Sequence, residues 1–266
     1  MKIGFFGNIN IQDGKFSKLL DFLRVNDCDY QIINEVKSLK KNDFDFIFSL
    51  GGDGTLLDCA SLVADSEIPI MGINFGSLGF LPSIEPEHIS EALTALLNGN
   101  YAIEDRNLLQ IQSEDEISKP FALNEVSVFR DSFGQILQLD VFVDTVFLNR
   151  YKGDGLLIST PTGSTAYNLS CGGPILMPHL ENIIITAVAS HTLTVRPVIL
   201  DSKSKVEIVL IQPKHGCLNV GLDSKMYKMQ KSKSICITKA DFSIKLLKFP
   251  EKTFFNTLRK KLNWGL

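Results

Sequence analysis

Paired cysteines, long apolar runs, basic stretches and metal-spaced histidines are all missing from this chain of 266 residues. Its five cysteines (Cys28, Cys59, Cys171, Cys217 and Cys236) are odd in number, widely scattered and form no Cys-x-x-Cys. That pattern excludes a disulfide framework and predicts reduced thiols in a cytoplasmic protein. The four histidines, His88, His179, His191 and His215, lack the spacing of a metal site, so a structural metal is not expected. No run reaches the roughly 18 apolar residues of a membrane helix. Met1 to Phe6 reads as an opening strand, because a signal peptide needs a longer apolar core and a small-residue cleavage site. Net charge is −3, and the clusters Lys37, Lys40, Lys41 and Arg259, Lys260, Lys261 read as solvated faces, so neither nucleic acid nor membrane is an expected partner. Repeats and low-complexity segments are absent too. What is present is globular: 44% hydrophobic and 21% charged residues, enough for one large domain or two modest ones.

The first hundred residues alternate strand and helix signals. Lys2 to Phe6 is strand-like, and Phe16, Leu19, Leu20 and Leu23 then fall on one helical face. Strand-like Tyr30 to Val36 and Phe44 to Leu50 follow, then a glycine turn, a helix from Leu56 to Ala64, and a strand from Ile68 to Ile73. A last amphipathic helix carries Ile89, Ala92, Leu93 and Leu96, with Gly99 placed to end it. This rhythm predicts a parallel sheet with helices on both faces, whose ligands bind at the carboxyl ends of the strands. From Asn107 the pattern changes to strand after strand: Leu108 to Gln112, Leu123 to Phe129, Ile136 to Val143, Val146 to Leu148, Leu156 to Ser159, Ile183 to Val188, Val206 to Ile211 and Ile235 to Thr238. The expected architecture is an α/β N-terminal domain with a Rossmann-like parallel sheet over residues 1–102, which the tail 245–266 is read as rejoining. A β-rich, sandwich-like domain follows over 103–244.

Four stretches carry candidate chemistry. Gly51-Gly52-Asp53-Gly54-Thr55 stands between a strand and a helix, where bare backbone N–H groups and the helix N-terminus suit a phosphate. Asp53 is the anomaly. Two unit charges 4 Å apart interact by about 1 kcal/mol in water and roughly 4 kcal/mol at an effective dielectric of 20, so a carboxylate beside phosphates needs a task. Taking a proton from an attacking hydroxyl is one. A second glycine loop, Asn74 to Leu81, follows the next strand, where a turn burying Phe80 is the structural alternative. Asn124-Glu125, inside an otherwise apolar strand, offers an amide and a carboxylate able to match a ribose diol, with plain surface placement as the structural alternative. The longest stretch runs from Lys152-Gly153-Asp154-Gly155 through Thr160-Pro161-Thr162-Gly163-Ser164-Thr165-Ala166-Tyr167 to Gly172-Gly173-Pro174, dense in glycines and in hydroxyls able to cap a following helix. In His191 to Pro197, Arg196 reads as a structural pair rather than a phosphate contact.

In this order the motifs resemble the NAD kinases, from about Ser49 to Asp223. The glycine-aspartate turn is shared with diacylglycerol-type lipid kinases and 6-phosphofructokinases; the Thr162 to Tyr167 block distinguishes the resemblance. It implies transfer of the γ-phosphate of ATP to the 2′-hydroxyl of the adenosine ribose of NAD, giving NADP. It also implies Asp53 as the base, with Gly52, Gly54 and Thr55 at phosphates and Asn124 and Glu125 at ribose and adenosine groups. Asp154 is implied at the nicotinamide-side ribose, and Thr162, Thr165, Ala166 and Tyr167 around adenine and ribose. Lys152 stands where many members have arginine, a point charge in place of a fork. Members often have Asp-Gly where this chain has Asp223-Ser224, so Asp223 stays outside the expected core site. ATP and NAD are the implied substrates, with a divalent metal, Mg2+, arriving on ATP, and the protein is implied to be a homo-oligomer, dimer or tetramer. The alternatives are a lipid kinase, or a non-catalytic NAD(P)-binding module, against which intact Asp53 argues.

Overall fold

Strands that read as unbroken apolar runs belong inside a sheet covered on both faces. The computed structural model, which describes residues 1–7, 14–33, 39–76, 78–130, 136–211, 218–249 and 253–265, places such runs at the centre of its first unit. Val36, Lys37, Ser77, His215 and Cys217 lie outside the described residues. The chain divides into two units, Met1–Arg106 with Ser243–Leu266, and Asn107–Phe242.

The first unit runs β1 (Lys2–Gly7), α1 (Gly14–Val25), β2 (Asp29–Ile32), β3 (Phe46–Leu50), α2 (Asp53–Val63), β4 (Ile70–Ile73), β5 (Ser83–Ile84) and α3 (Ile89–Leu97). Its strands pair in parallel in the order β2-β1-β3-β4, with Ile3 opposite Phe46 and Ile47 opposite Ile70, and the short β5 pairs in parallel with β4. One face packs Phe5, Phe48 and Ile73 against Phe16 and Leu19 of α1 and Leu93 and Leu96 of α3. On the opposite face α2 sets Leu56 against Gly72 and buries Cys59. Gly99, at φ 72°, ends α3: its N–H reaches Leu96 O at 3.1 Å, and the next amide, of Asn100, reaches Ala95 O at 2.8 Å.

The chain leaves this unit within β6 (Ala102–Gln112) and continues through β7 (Phe121–Ala122), β8 (Glu125–Phe129), β9 (Leu137–Val143), β10 (Val146–Gly153), β11 (Gly155–Ser159), α4 (Tyr167–Ser170), β12 (Asn182–Val188), β13 (Val198–Asp201), β14 (Val206–Leu210), β15 (Leu218–Leu222) and β16 (Lys225–Met229). It returns within β17 (Ser234–Lys248), and α5 (Phe254–Leu262) follows. The second unit is antiparallel: one sheet is ordered β13-β12-β11-β8-β15-β16, and β10-β9-β14-β17 form the other. Alternate residues of both meet in one core, Val126, Ile158 and Ile185 from the first and Val141, Ile208 and Ile237 from the second, as in a sandwich.

Several strands differ from the sequence reading. β10 continues past Leu148 to Gly153, because its polar residues face outward; Arg150 there forms two bonds to Asp140 on β9, at 2.6 and 2.7 Å. β17 is one strand rather than two segments, its polar Lys239 and Asp241 flanking the buried Ala240. The hairpin β15–β16, turned by Asp223-Ser224 with Asp223 at φ 51°, was not expected as strand at all.

Candidate functional site

Helix α2 begins at Asp53, three residues earlier than the periodicity implied, so Asp53, Gly54 and Thr55 form its first turn. Gly52 is the N-cap residue, with no side chain satisfying the orphan amides. Gly51 N–H donates to Ile73 O at 2.9 Å, which ties the turn to the neighbouring strand. Thr55 lies under this turn, its side chain against Gly7 and Gly51. Gly52 and Gly54 are exposed, and a Cβ at either would meet open space. Packing within the protein therefore gives no reason for glycine there, whereas close approach of an anion to the helix N-terminus does.

The second glycine loop has a defined partner. Phe80 N–H donates to Asp53 Oδ2 at 2.8 Å and Leu81 N–H to Asp53 Oδ1 at 3.3 Å. Gly79 sits against that carboxylate so closely that a Cβ would overlap it. Asn74 shapes the loop's start, accepting Gly76 N–H on Oδ1 at 2.9 Å. Phe80 is only partly buried, and the Lys261 ammonium lies 5.5 Å from its ring centroid. The two motifs are thus one structure, the second orienting the carboxylate of the first. No hydrophobic spacing signals this, since it depends on backbone amides 27 and 28 residues away.

In the second unit the Thr160–Tyr167 turn sits on Asn124. Thr160 N–H donates to Asn124 O at 2.9 Å, and its hydroxyl donates to Leu123 O at 2.6 Å while accepting Gly163 N–H at 3.0 Å. Gly163 lies on the Asn124 backbone with no room for a Cβ. The hydroxyls do not cap α4, whose N-cap is Ala166. Ser164 instead donates to Pro161 O at 2.6 Å and Thr165 to Thr162 O at 3.3 Å, so the turn consumes its own side chains. Fully buried Asn168 locks the turn: it accepts Thr186 Oγ1–H at 2.6 Å and donates to Ser164 O and Pro174 O at 3.2 and 3.3 Å.

Around this turn, Tyr167 is 42% exposed, with its ring 6.1 Å from that of Phe129. Asp154 is partly buried and ion-paired with Arg130 at 3.3 Å. Lys152 has an exposed side chain, and its carbonyl accepts His191 N–H at 2.9 Å. Arg196 closes its own loop, its guanidinium donating to Leu193 O and Val195 O at 2.8 Å each. Glu125 is buried, and among the described residues its Oε2 has no hydrogen-bond partner. Burial, and secondarily the charge of Asp223, push its carboxyl up to about 8. Burial also raises the Tyr167 hydroxyl, with smaller contributions from Cys171, Asp154 and Glu125.

Asp223 is the residue the sequence reading set aside. Its carboxylate accepts the N–H groups of Leu123 at 2.8 Å, Asn124 at 2.7 Å and Glu125 at 3.2 Å, and its own N–H donates to Glu125 O at 3.1 Å. An aspartate at a hairpin turn marks a tight turn in sequence, but gives no sign of an attachment about a hundred residues away. Among the described residues no three or more His, Cys, Asp or Glu side chains gather as a metal site. A cavity of about 590 Å³ between α3 and α5, lined by His88, Glu91, Thr257 and Arg259 among others, touches the glycine loops only at Leu78.

Residues 10–101 match the family model of the ATP-NAD kinase N-terminal domain and residues 123–249 that of the C-terminal domain. The chain is 38% identical to the NAD kinase of Flavobacterium johnsoniae over 98% of its own length and 90% of the relative's. It is 39% identical to that of Bacteroides fragilis over 84% and 77%. Among solved structures, an NAD kinase from Archaeoglobus fulgidus in complex with ATP superposes with a TM-score of 0.82 at 25% identity, covering 99% of both chains. The fold is also that of the yeast NADH kinase complexed with NADH, with a TM-score of 0.84 at 21% identity over 100% of this chain and 88% of that one. With identity of this order over nearly its whole length, the chain belongs to the NAD kinase family.

Proposed function

We infer that this chain carries out its family's reaction: it is an ATP-dependent NAD kinase, a phosphotransferase, and neither alternative, lipid kinase or silent module, finds support among its relatives. The 2′-hydroxyl oxygen of the adenosine ribose attacks the γ-phosphorus of ATP as the bond to the bridging oxygen breaks, giving NADP and ADP. Such a transfer depends on in-line positioning and neutralisation of spread charge, and asks for a base only as the new bond forms. Asp53 suits that part. Each carboxylate oxygen accepts one amide, so its direction is fixed while a lone pair on each stays available to a hydroxyl. This held carboxylate at the start of α2 is the observation that carries the mechanism.

Gly52, Gly54 and the first-turn amides are assigned to phosphate oxygens, consistent with their open face. The Asn124–Glu125 pair with Asp154, Thr162, Thr165, Ala166 and Tyr167 is assigned to the adenosine and ribose groups of the dinucleotide, and exposed Lys152 to a phosphate. Magnesium is assigned to the phosphates of ATP, since it keeps most of its water and needs few protein oxygens. Reduced thiols at Cys28, Cys59, Cys171 and Cys236 favour the cytoplasm. Exposed Val146 and Phe147 at the β9–β10 hairpin favour self-association, as a dimer or tetramer, which light scattering reads directly.

Incubation with ATP, magnesium and either NAD or NADH, with the product identified by mass, tests the reaction. Asp53→Asn is expected to lower kcat by about 10²–10⁴-fold while NAD affinity stays within a few-fold. A variant that folds normally and keeps near-normal kcat removes Asp53 from the chemistry.

A further inference from the structure

We propose that Asp223 is the positioning residue of the Asn124–Glu125 pair: its carboxylate clasps the backbone from which both side chains project, and so sets how they meet the dinucleotide. The inference rests on the reading above that this pair binds NAD. Three consecutive amides, of Leu123, Asn124 and Glu125, converge on one carboxylate, and a fourth bond runs back from Asp223 N–H to Glu125 O. On its other side the same segment is held by Thr160, bonded to Leu123 O and Asn124 O, and by Gly163 against the Asn124 backbone. The pair therefore stands between two clasps. One belongs to the motif that marks the family, and the other to a hairpin turn outside it.

The second consequence is electrostatic. Burial raises both acids; at Asp223 three amide donors and Lys225 oppose that rise, while Glu125, whose Oε2 has no partner among the described residues, is raised further by the charge of Asp223. Other titratable groups around Glu125 are Tyr167 on α4, Cys171 just after it, and Asp154, which acts on Tyr167 and is ion-paired with Arg130. After burial, the charge of Asp223 is what raises Glu125. A residue that only braced the hairpin would leave the KM for NAD unchanged in a folded variant, whereas loss of a positioning residue raises it and spares the KM for ATP.

Asp223→Asn removes the charge and keeps one carbonyl acceptor, Asp223→Ala removes both, and circular dichroism with thermal melting confirms that each variant folds. Steady-state kinetics with NAD and ATP are measured from pH 6 to 9. Separately, the ¹³C carboxyl resonance of Glu125, assigned through its loss in Glu125→Gln, is titrated without substrates. The expected result is a KM for NAD raised at least tenfold in Asp223→Ala and less in Asp223→Asn. The KM for ATP should stay within twofold, and the Glu125 midpoint should fall by at least one pH unit in Asp223→Asn. If Asp223→Ala fails to fold, Asp223→Asn alone decides. An unmoved Glu125 midpoint, or equal rises in both KM values, overturns the proposal. A wild-type chain that fails to phosphorylate NAD refutes the underlying reading instead, and the titration still reports on the clasp.

Discussion

Glu125→Gln should make the ligand-free protein more stable as the pH rises. In the folded chain the Glu125 carboxyl is pushed from its ordinary 4.5 to about 8, by burial first and then by the charge of Asp223. Below pH 4.5 the residue is protonated in both folded and unfolded chains and contributes no pH-dependent term. Between 4.5 and 8 the unfolded chain has released the proton while the folded chain holds it, so the unfolded state binds fewer protons and stability falls as pH rises. Above 8 the loss is complete. Each tenfold change in proton affinity is about 1.4 kcal/mol, so a rise from 4.5 to about 8 corresponds to about 5 kcal/mol of lost stability at the alkaline end. Glutamine has nearly the same shape and never ionises. Any cost of seating its NH₂ where Oε2 lies is the same at every pH. At about 2–4 °C per kcal/mol for a chain of this size, the melting temperature of the variant relative to wild type should climb by on the order of 10 °C between pH 5 and pH 9. Calorimetric scans of both proteins across that range measure it. A gap that stays constant from pH 5 to 9, or narrows toward alkaline pH, refutes the assignment of Glu125 as a buried neutral acid.

Gly79→Ala places a methyl group where the Asp53 carboxylate lies, so the carboxylate must swing away from the Phe80 and Leu81 amides. A displacement of about 1 Å at a catalytic group costs about 100-fold, so kcat should fall by that order with little change in the KM for NAD; unchanged kcat would show that Asp53 is not held by this loop. Asn168→Ala leaves the Thr186 hydroxyl, the buried Ser164 carbonyl and the partly buried Pro174 carbonyl without this partner, at a cost of about 2–4 kcal/mol. The melting temperature should drop by about 5–15 °C, and a drop under 2 °C would show that the turn is held without it.

Much of the fold is legible in local pattern, because parallel strands buried on both faces read as apolar runs and helices show their buried stripe. Ile3, Phe5, Leu19 and Leu93 are where period and composition put them, in the core of the first unit. Strands with polar outward faces are harder. Asn149, Arg150 and Lys152 hide the second half of β10, and the lysines of β16 hide that hairpin, since alternation over five residues is easily masked by charge. At the site, residue types mark the right segments but misassign some tasks. The hydroxyls from Ser164 to Thr165 look like helix caps and are instead bonded to carbonyls of their own turn. Asp223 looks like a turn residue and is also a clasp, a role visible only once strands far apart in sequence lie side by side.

The two carboxyls assigned to the reaction are handled in opposite ways, and charge explains why. NAD and ATP are polyanions, and each carboxylate near them is opposed by roughly 4 kcal/mol per close phosphate at an effective dielectric of 20. The group that accepts a proton has to be ionised, so Asp53 stands at a helix N-terminus, where the dipole and two amides offset its charge. A group that only binds has no such need. Glu125 is buried beside another acid, which keeps it neutral, and a neutral carboxyl offers both a donor and an acceptor to a ribose diol. Moving either residue into the other's environment would reverse these states: a proton acceptor held protonated, and a binding residue that repels its ligand.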